Sequence, residues 1–528
     1  MYDLVLTGGL VVDGTRAKPY KANVCVKDGL VAAITTEEVA DAARVIDAEG
    51  KIVAPGFIDI HSHADDAPLV DYLVESKIAQ GVTTELTGNC GEGILPTNPA
   101  RMDEANDYIR TELNFNLNGI CGACLDVDEY VSRVKANGSS LNYGVLVGHG
   151  NLRLACMGFE NRDPDEAEMK LLEDTLEEQL QQGAFGMSLG LIYPPSAFSA
   201  REELVRLAKV VKKYNGIVAV HMRNEGKKVF ESVDEMIDIA EASGAHVQIS
   251  HLKLMGKPQW GRSAELLKKI EDARARGVNI TCDQYPFNAS STNLAALLPH
   301  WAHEGGSAAL LKRLEAPTEE LRAAIAQNME ERGGAHTIMP INTHGYHPEW
   351  EGRYVSDIAG EMGVDPVSAV ITMLYDCKAV VNSVYFCMSE EDVLAIMGKM
   401  YIAVGSDGYS YSYDQKYTNM NPHPRSFGTF PQFFQTVREK NLMPVEDAVY
   451  KVTGLPASIL GIKDRGVLRV GMKADITVFD PEKIENKSTY LDSKIRPPGV
   501  GPVIVGGRVA YENNAVTAER AGETVLHK

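Results

Sequence analysis

Eight apolar, β-branched-rich runs fill the middle of this chain, and they restrict it to very few architectures. They are Gly56 to His61, Val82 to Thr87, Tyr143 to Val147, Phe185 to Leu189, Ile217 to His221, His246 to His251, Val278 to Asp283 and Tyr401 to Ser406. Most are continuously apolar, the pattern of parallel strands covered on both faces. Helical periodicity fills several of the gaps. The clearest helix opens at Asp163-Pro164, repeats apolar residues at Met169, Leu172, Leu176 and Leu180, and stops at Gly183. Eight such units predict an α/β chain folded as a (β/α)8 TIM-type barrel, with its active site at the C-terminal ends of the strands.

The two ends of the chain read differently. Residues 1–53 carry short strands, Leu4 to Leu6, Leu10 to Val12, Val24 to Val26 and Leu30 to Ile34, punctuated by Gly8-Gly9, Asp13-Gly14 and Asp28-Gly29. Residues 466–528 repeat the pattern, with Ala474 to Asp480 and Val503 to Val509 as strands. The ends are expected to pair into a small discontinuous β-sandwich domain, with the barrel over 54–465. Residues 288–399 separate the seventh run from the eighth by far more chain than most other gaps, which predicts an insertion able to serve as a lid.

Composition narrows the partners. A net charge of -20 argues against nucleic acids and anionic membranes, which draw on excess Lys and Arg. No apolar run approaches the roughly 18 residues of a membrane helix, and the start, Met1 to Gly9, lacks the basic region of a signal peptide, so a cytoplasmic protein is expected. The eight cysteines read as reduced thiols. Cys121-Gly122-Ala123-Cys124 has the spacing of half a zinc site, but no second pair lies near, and it reads as two thiols in a loop or helix start. The oligomeric state is left open.

Several of the predicted strands end in a residue that binds metals. His61 and His63 lie two apart, so on a strand they face the same way. Cys90 follows the second run, and His221, His251 and Asp407 close or follow the fifth, sixth and eighth. Alone, each is ordinary: a core histidine, a buried thiol, an aspartate opening a turn. Together on one barrel rim they form a candidate metal site, and a thiolate favours zinc over magnesium. Zinc lowers the pKa of a coordinated water from about 15.7 to about 7 and polarises a carbonyl, which points to a metal-bound hydroxide as nucleophile. Asp407 is then the natural proton shuttle, acting as general base and acid in hydrolysis at a carbonyl or amidine carbon. His149, in Gly148-His149-Gly150, is not assigned as a ligand.

The strand motif Ala54 to His63, the strand ends with His221, His251 and Asp407, and the bracketing β segments resemble the amidohydrolase superfamily. Within it, Gly81 to Gly91, His221 to Glu225, Ser250 to Lys253 and His423 to Phe430 resemble the N-acyl-D-amino-acid deacylase (D-aminoacylase) family. The resemblance covers almost the whole chain, and Cys90 in place of a bridging lysine carries it. It implies one tight zinc at Cys90, His221 and His251, and a second, weaker site at His61, His63 and Asp407. It also implies that Lys253, Arg425 and Tyr285, with Tyr193 nearby, clamp the α-carboxylate of a small N-acyl amino acid. The stretch from Asp407 to Arg425, with Tyr409, Tyr411, Tyr413 and Tyr417, is longer than the family pattern leads one to expect. Phe287 to Leu311 holds no Lys or Arg but does hold Leu294, Leu297, Leu298 and Trp301, so neutral or apolar side chains are expected on the substrate. The alternatives are an amidohydrolase for a cyclic amide or isoaspartyl-type peptide, and a non-catalytic barrel scaffold.

Overall fold

The computed structural model describes residues 1–39, 41–70, 74–112, 122–414 and 420–528. Each of the eight runs holds a strand, and all eight are parallel to their neighbours. Val147–Gly148, Gly186–Gly190, Ile217–His221, His246–Ile249, Ile280–Gln284 and Ile402–Val404 form a six-stranded sheet in that order. Phe57–Asp59, Val82–Thr87 and Asn142–Val145 form a second sheet of three. The third run belongs to both, broken only at Leu146, whose N–H donates to Thr87 O at 2.9 Å. At the other seam a parallel bridge joins Ser62 to Gly408, and Asp407 N–H donates to His61 O at 2.8 Å. The ends of the first and last strands are thereby tied together, which sets His61 and His63 beside Asp407.

Helices cover the outside in sequence, with Glu166–Gln181, Arg201–Lys213, Val229–Ser243 and Ser263–Ala275 packed side by side. The first begins two residues later than Asp163-Pro164 suggests. Asp165 is its N-cap: the Asp165 side chain accepts from Ala167 N and Glu168 N, and the Glu168 side chain accepts from Asp165 N in return. That reciprocal capping box satisfies more orphan N–H groups than an Asp163 cap could.

The terminal segments share one sheet of nine strands. Ile52–Pro55 pairs antiparallel with Ile476–Phe479, Val53 opposite Val478, which joins five strands from the N-terminal end to four from the C-terminal end. Leu4 to Leu6 and Leu10 to Val12, read as two short strands, are one strand over Leu4–Val11 with a register shift between Leu6 and Gly9. Within 288–399, Ser290–Asn293, Asn382–Tyr385 and Ile338–Asn342 make a three-stranded antiparallel sheet. It packs with helices including Glu319–Glu331 around Leu294, Leu297, Leu321 and Ile325.

A buried ion cluster pins the first, second and eighth strands. Lys77 Nζ donates to Asp59 Oδ2 and Glu85 Oε1, both at 2.7 Å, and to Ser406 Oγ at 2.9 Å. Asp59 Oδ1 in turn accepts from Ser406 N at 2.8 Å. All three charged side chains are fully buried. Removing one partner of such a cluster leaves the others desolvated without compensation, so Lys77→Met is expected to cost about 3–5 kcal/mol. A urea titration checks it, as a lowered unfolding midpoint.

Candidate metal centre

Backbone shape aims the ligands. Cys90, His251 and Asp407 have φ of 57°, 37° and 51°, a region that non-glycine residues seldom enter. The Cys90 turn is flanked by Gly88 and Gly91, also at positive φ. A Cβ on Gly88 would meet Leu146 O at 2.2 Å, and one on Gly91 would meet Gly190 N at 2.3 Å. The loop therefore lies flat on the strand ends and points its thiol inward.

The six predicted metal residues form one connected cluster. Cys90 Sγ lies 3.3 Å from His61 Nε2 and 3.5 Å from His251 Nε2. His251 Nε2 is 2.9 Å from His221 Nδ1, and Asp407 Oδ1 is 3.0 Å from His63 Nε2 and 3.3 Å from His61 Nε2. By ligand-atom distance these fall into two groups, His61, Cys90, His251 and Asp407, and His221, Glu225 and His251, each within 4.8 Å. That division differs from the one the resemblance implies: His251 belongs to both groups, and His63 reaches the cluster through Asp407. Among the described residues His63 Nδ1 and His221 Nε2 are buried with no hydrogen-bond partner, His221 Nε2 lying 3.7 Å from Glu225 Oε2. Imidazoles, a thiol and a carboxylate are the donor set of a borderline-soft divalent ion, and they fit one here.

The charges suit ligation. Burial works against the Cys90 thiolate, but His61 and His251 outweigh it and hold the thiol well below its ordinary value. Burial likewise opposes the Asp407 carboxylate, and Arg425 with the imidazoles His251 and His61 overcomes it, so this group is held well below the usual carboxylate range.

Three supporting residues escaped the sequence reading. Asp283 Oδ1 lies 3.0 Å from His61 Nδ1 and accepts from His251 N at 2.8 Å, so it orients two ligands at once. Glu225 Oε1 accepts from Lys253 Nζ at 2.5 Å and lies 3.0 Å from His251 Nδ1. His423 Nδ1 accepts from Arg425 N at 3.0 Å while its Nε2 faces Ala289 O at 3.1 Å, fixing the start of the helix Arg425–Lys440. An acid closing an apolar run marks Asp283; the spacing of four from His221 marks Glu225.

The residues assigned to the carboxylate clamp come together. Arg425 Nη1 donates to Asp407 Oδ2 at 2.6 Å, and the Tyr285 ring lies between Lys253 Nζ at 5.8 Å and the Arg425 guanidinium at 5.1 Å. Tyr193 sits edge-on to His221 at 4.9 Å, its hydroxyl 3.0 Å from Thr292 Oγ1. All four line one cavity of about 360 Å³ with His63, Cys90, His221, His251 and Asp407. Of the four apolar residues Leu294, Leu297, Leu298 and Trp301, only Leu298 lines it; Leu294 and Leu297 are buried in the core and Trp301 packs against that core. Asn328 and Arg332 enter instead from helix Glu319–Glu331 and its end, C-terminal to the stretch Phe287 to Leu311. Tyr417 and Cys121 lie outside the described residues. Cys124 is buried, its thiol pushed up to about 12 by burial, and its sulfur accepts from Arg133 Nη1 at 3.1 Å.

Parallel strands that deliver imidazoles, a thiol and a carboxylate to one rim, beside a sheet built from both chain ends, define an amidohydrolase. The amidohydrolase family model matches residues 44–331 and 409–511. Over 511 residues the chain is 34% identical to an N-acyl-D-glutamate deacylase of Alcaligenes xylosoxydans xylosoxydans, covering 96% of this chain and 93% of that one. It is 32% identical over 525 residues to a D-aminoacylase of the same organism, covering 99% and 97%. The crystal structure of N-acyl-D-glutamate deacylase from Bordetella bronchiseptica, complexed with zinc and a phosphonate mimic of the tetrahedral intermediate, matches with a TM-score of 0.83 at 33% identity over 100% of both chains. The chain belongs to the amidohydrolase family, in its N-acyl-D-amino-acid deacylase branch, and is an enzyme. No helix among the described residues is long and apolar enough to cross a membrane.

Proposed function

We propose that this enzyme hydrolyses the amide bond of N-acyl-D-amino acids with neutral or apolar side chains, releasing a carboxylate and the free D-amino acid. The observation that carries the reading is the ligand group His61, Cys90, His251 and Asp407, of which Cys90, His251 and Asp407 line one cavity with the cations Lys253 and Arg425. By the family resemblance, and not by the ligand-atom grouping that sets Cys90 with His61, His251 and Asp407, the residues to hold a tight zinc would be Cys90, His221 and His251, with His61, His63 and Asp407 around a second, weaker site. When bound, the metal supplies Lewis acidity and an acidified water.

The chain's own residues do the rest. Asp407, kept ionised beside Arg425, takes the proton of the attacking water and returns it to the departing nitrogen. Lys253 and Arg425 hold the α-carboxylate, with Tyr285 between them and Tyr193 across the cavity; Arg suits bidentate carboxylate binding. The insertion over 288–399 closes the far wall as a lid, since Ser291, Thr292 and Leu298 line the same cavity. The D configuration is supported by the names of the relatives, and the neutral side chain by Leu298, Ala296 and Met255 in the wall.

Steady-state hydrolysis by zinc-replete protein tests this. N-acetyl-D-leucine is expected to give the highest kcat/KM, ahead of N-acetyl-L-leucine, N-acetyl-D-glutamate and a hydantoin. Faster turnover of the D-glutamate derivative would transfer the side-chain assignment to Arg332. Turnover of the hydantoin alone would overturn the linear-amide reading.

A further inference from the structure

Away from the ligands, His149, Ser196 and Glu203 form a buried row with 0%, 1% and 2% exposure. His149 Nδ1 lies 2.7 Å from Ser196 Oγ, and Nε2 lies 2.8 Å from Glu203 Oε1. The residue types are those of a nucleophilic triad, yet none of the three lines the cavity at the metal centre, and Ser196 Oγ already accepts from Gly190 N at 3.2 Å.

The row has one proton arrangement that satisfies every member. Arg153 donates to the second oxygen of Glu203, so that carboxylate is an acceptor only. His149 Nε2–H must then donate to Glu203, its Nδ1 must accept from the Ser196 hydroxyl, and Ser196 keeps a lone pair for Gly190 N–H. Burial favours the neutral imidazole this requires. Three buried side chains satisfied in this way form a stiff row, because any rotation leaves a desolvated polar atom unpaired.

The stiff row ends on the turn that carries a clamp residue. Gly190 closes the fourth strand, Tyr193 N–H donates to Gly190 O at 2.8 Å, and Ala197 N–H donates to Tyr193 O at 2.8 Å. Within that turn Tyr193 packs on His221. We propose that His149 is a positioning residue for Tyr193, acting through Ser196 to fix the 190–197 turn that holds the Tyr193 side chain against bound substrate. The assignment rests on the deacylase reading, which gives Tyr193 its substrate contact.

The test is a double-mutant cycle on zinc-loaded protein with N-acetyl-D-leucine. His149→Ala and Ser196→Ala are each made in the wild-type and Tyr193→Phe backgrounds. In the wild type each is expected to raise KM about tenfold, with kcat held within about twofold and zinc content unchanged, since misplacing a binding group by an ångström is enough. In the Tyr193→Phe background the same changes are expected to add little. An equal loss in both backgrounds, an unchanged KM, or loss of zinc overturns the assignment. Should His149→Ala fail to fold, Ser196→Ala, which removes a single oxygen, carries the same comparison. Should the wild type turn over no N-acyl-D-amino acid, the deacylase reading fails by itself. A crystal structure of Ser196→Ala then decides: a displaced 190–197 turn supports the positioning role, and a turn in its original place overturns it.

Discussion

Asp407→Asn is expected to lower turnover of N-acetyl-D-leucine by about 10²- to 10⁴-fold, the range a positioned proton shuttle supplies, while the metal stays bound. The substitution is close to isosteric, so the amide keeps the volume that sits 3.0 Å from His63 Nε2 and 2.6 Å from Arg425 Nη1. What it removes is the basic oxygen. The proposed tight site at Cys90, His221 and His251 does not include that oxygen, so elemental analysis of the purified variant should still find one tightly held zinc per chain, whatever becomes of the weaker site that Asp407 borders. The loss should fall on kcat and kcat/KM together, because a proton in flight is felt in the transition state and not in substrate binding. Arg425 complicates the comparison usefully: it loses its buried anion, and a clamp freed in this way should bind the α-carboxylate no worse. A variant that lost metal with activity would show Asp407 to be chiefly a ligand. Retained turnover would refute its role as base.

The strands could be read from the sequence because a parallel strand buried on both faces must be apolar along its length, and chance seldom repeats that eight times. Residues at the strand ends inherit their place from the strand, which is why His61, His63, His221, His251 and Asp407 converge where the periodicity puts them. Through-space partners carry no such signal. Lys77 lies in the one-turn helix Glu75–Ile78, in no motif that the sequence offers, yet it is wholly buried between Asp59 and Glu85. His149 and Glu203 meet across 54 residues. The cavity wall differs from the expectation for a related reason: Leu294 and Leu297 turn into the core, and Asn328, Glu331 and Arg332, from the end of helix Glu319–Glu331 and just beyond it, line the cavity.

Cys90 is where ligation and backbone strain can be separated. Cys90→Ala is expected to lower metal affinity by more than the roughly 10- to 100-fold that loss of an outer hydrogen-bond partner costs, and to abolish hydrolysis at limiting zinc. The thiolate is the one soft donor within reach of both His61 and His251 among the described residues. It is also held by its neighbours in the deprotonated form that ligation requires. Its φ of 57° is costly for any side chain, so removing the sulfur alone leaves the strain in place. Cys90→Gly removes both. Relative to the alanine variant, the glycine variant without metal should therefore be no less stable and should gain up to about 1 kcal/mol, the low end of what a left-handed backbone costs a residue with a Cβ. The two variants should nevertheless lose zinc alike, since neither carries a donor. Equilibrium dialysis gives the first quantity and chemical denaturation of the metal-free proteins the second. Metal retained by either variant would move the tight site away from Cys90, towards His221, Glu225 and His251, the one other ligand group within coordinating distance among the described residues.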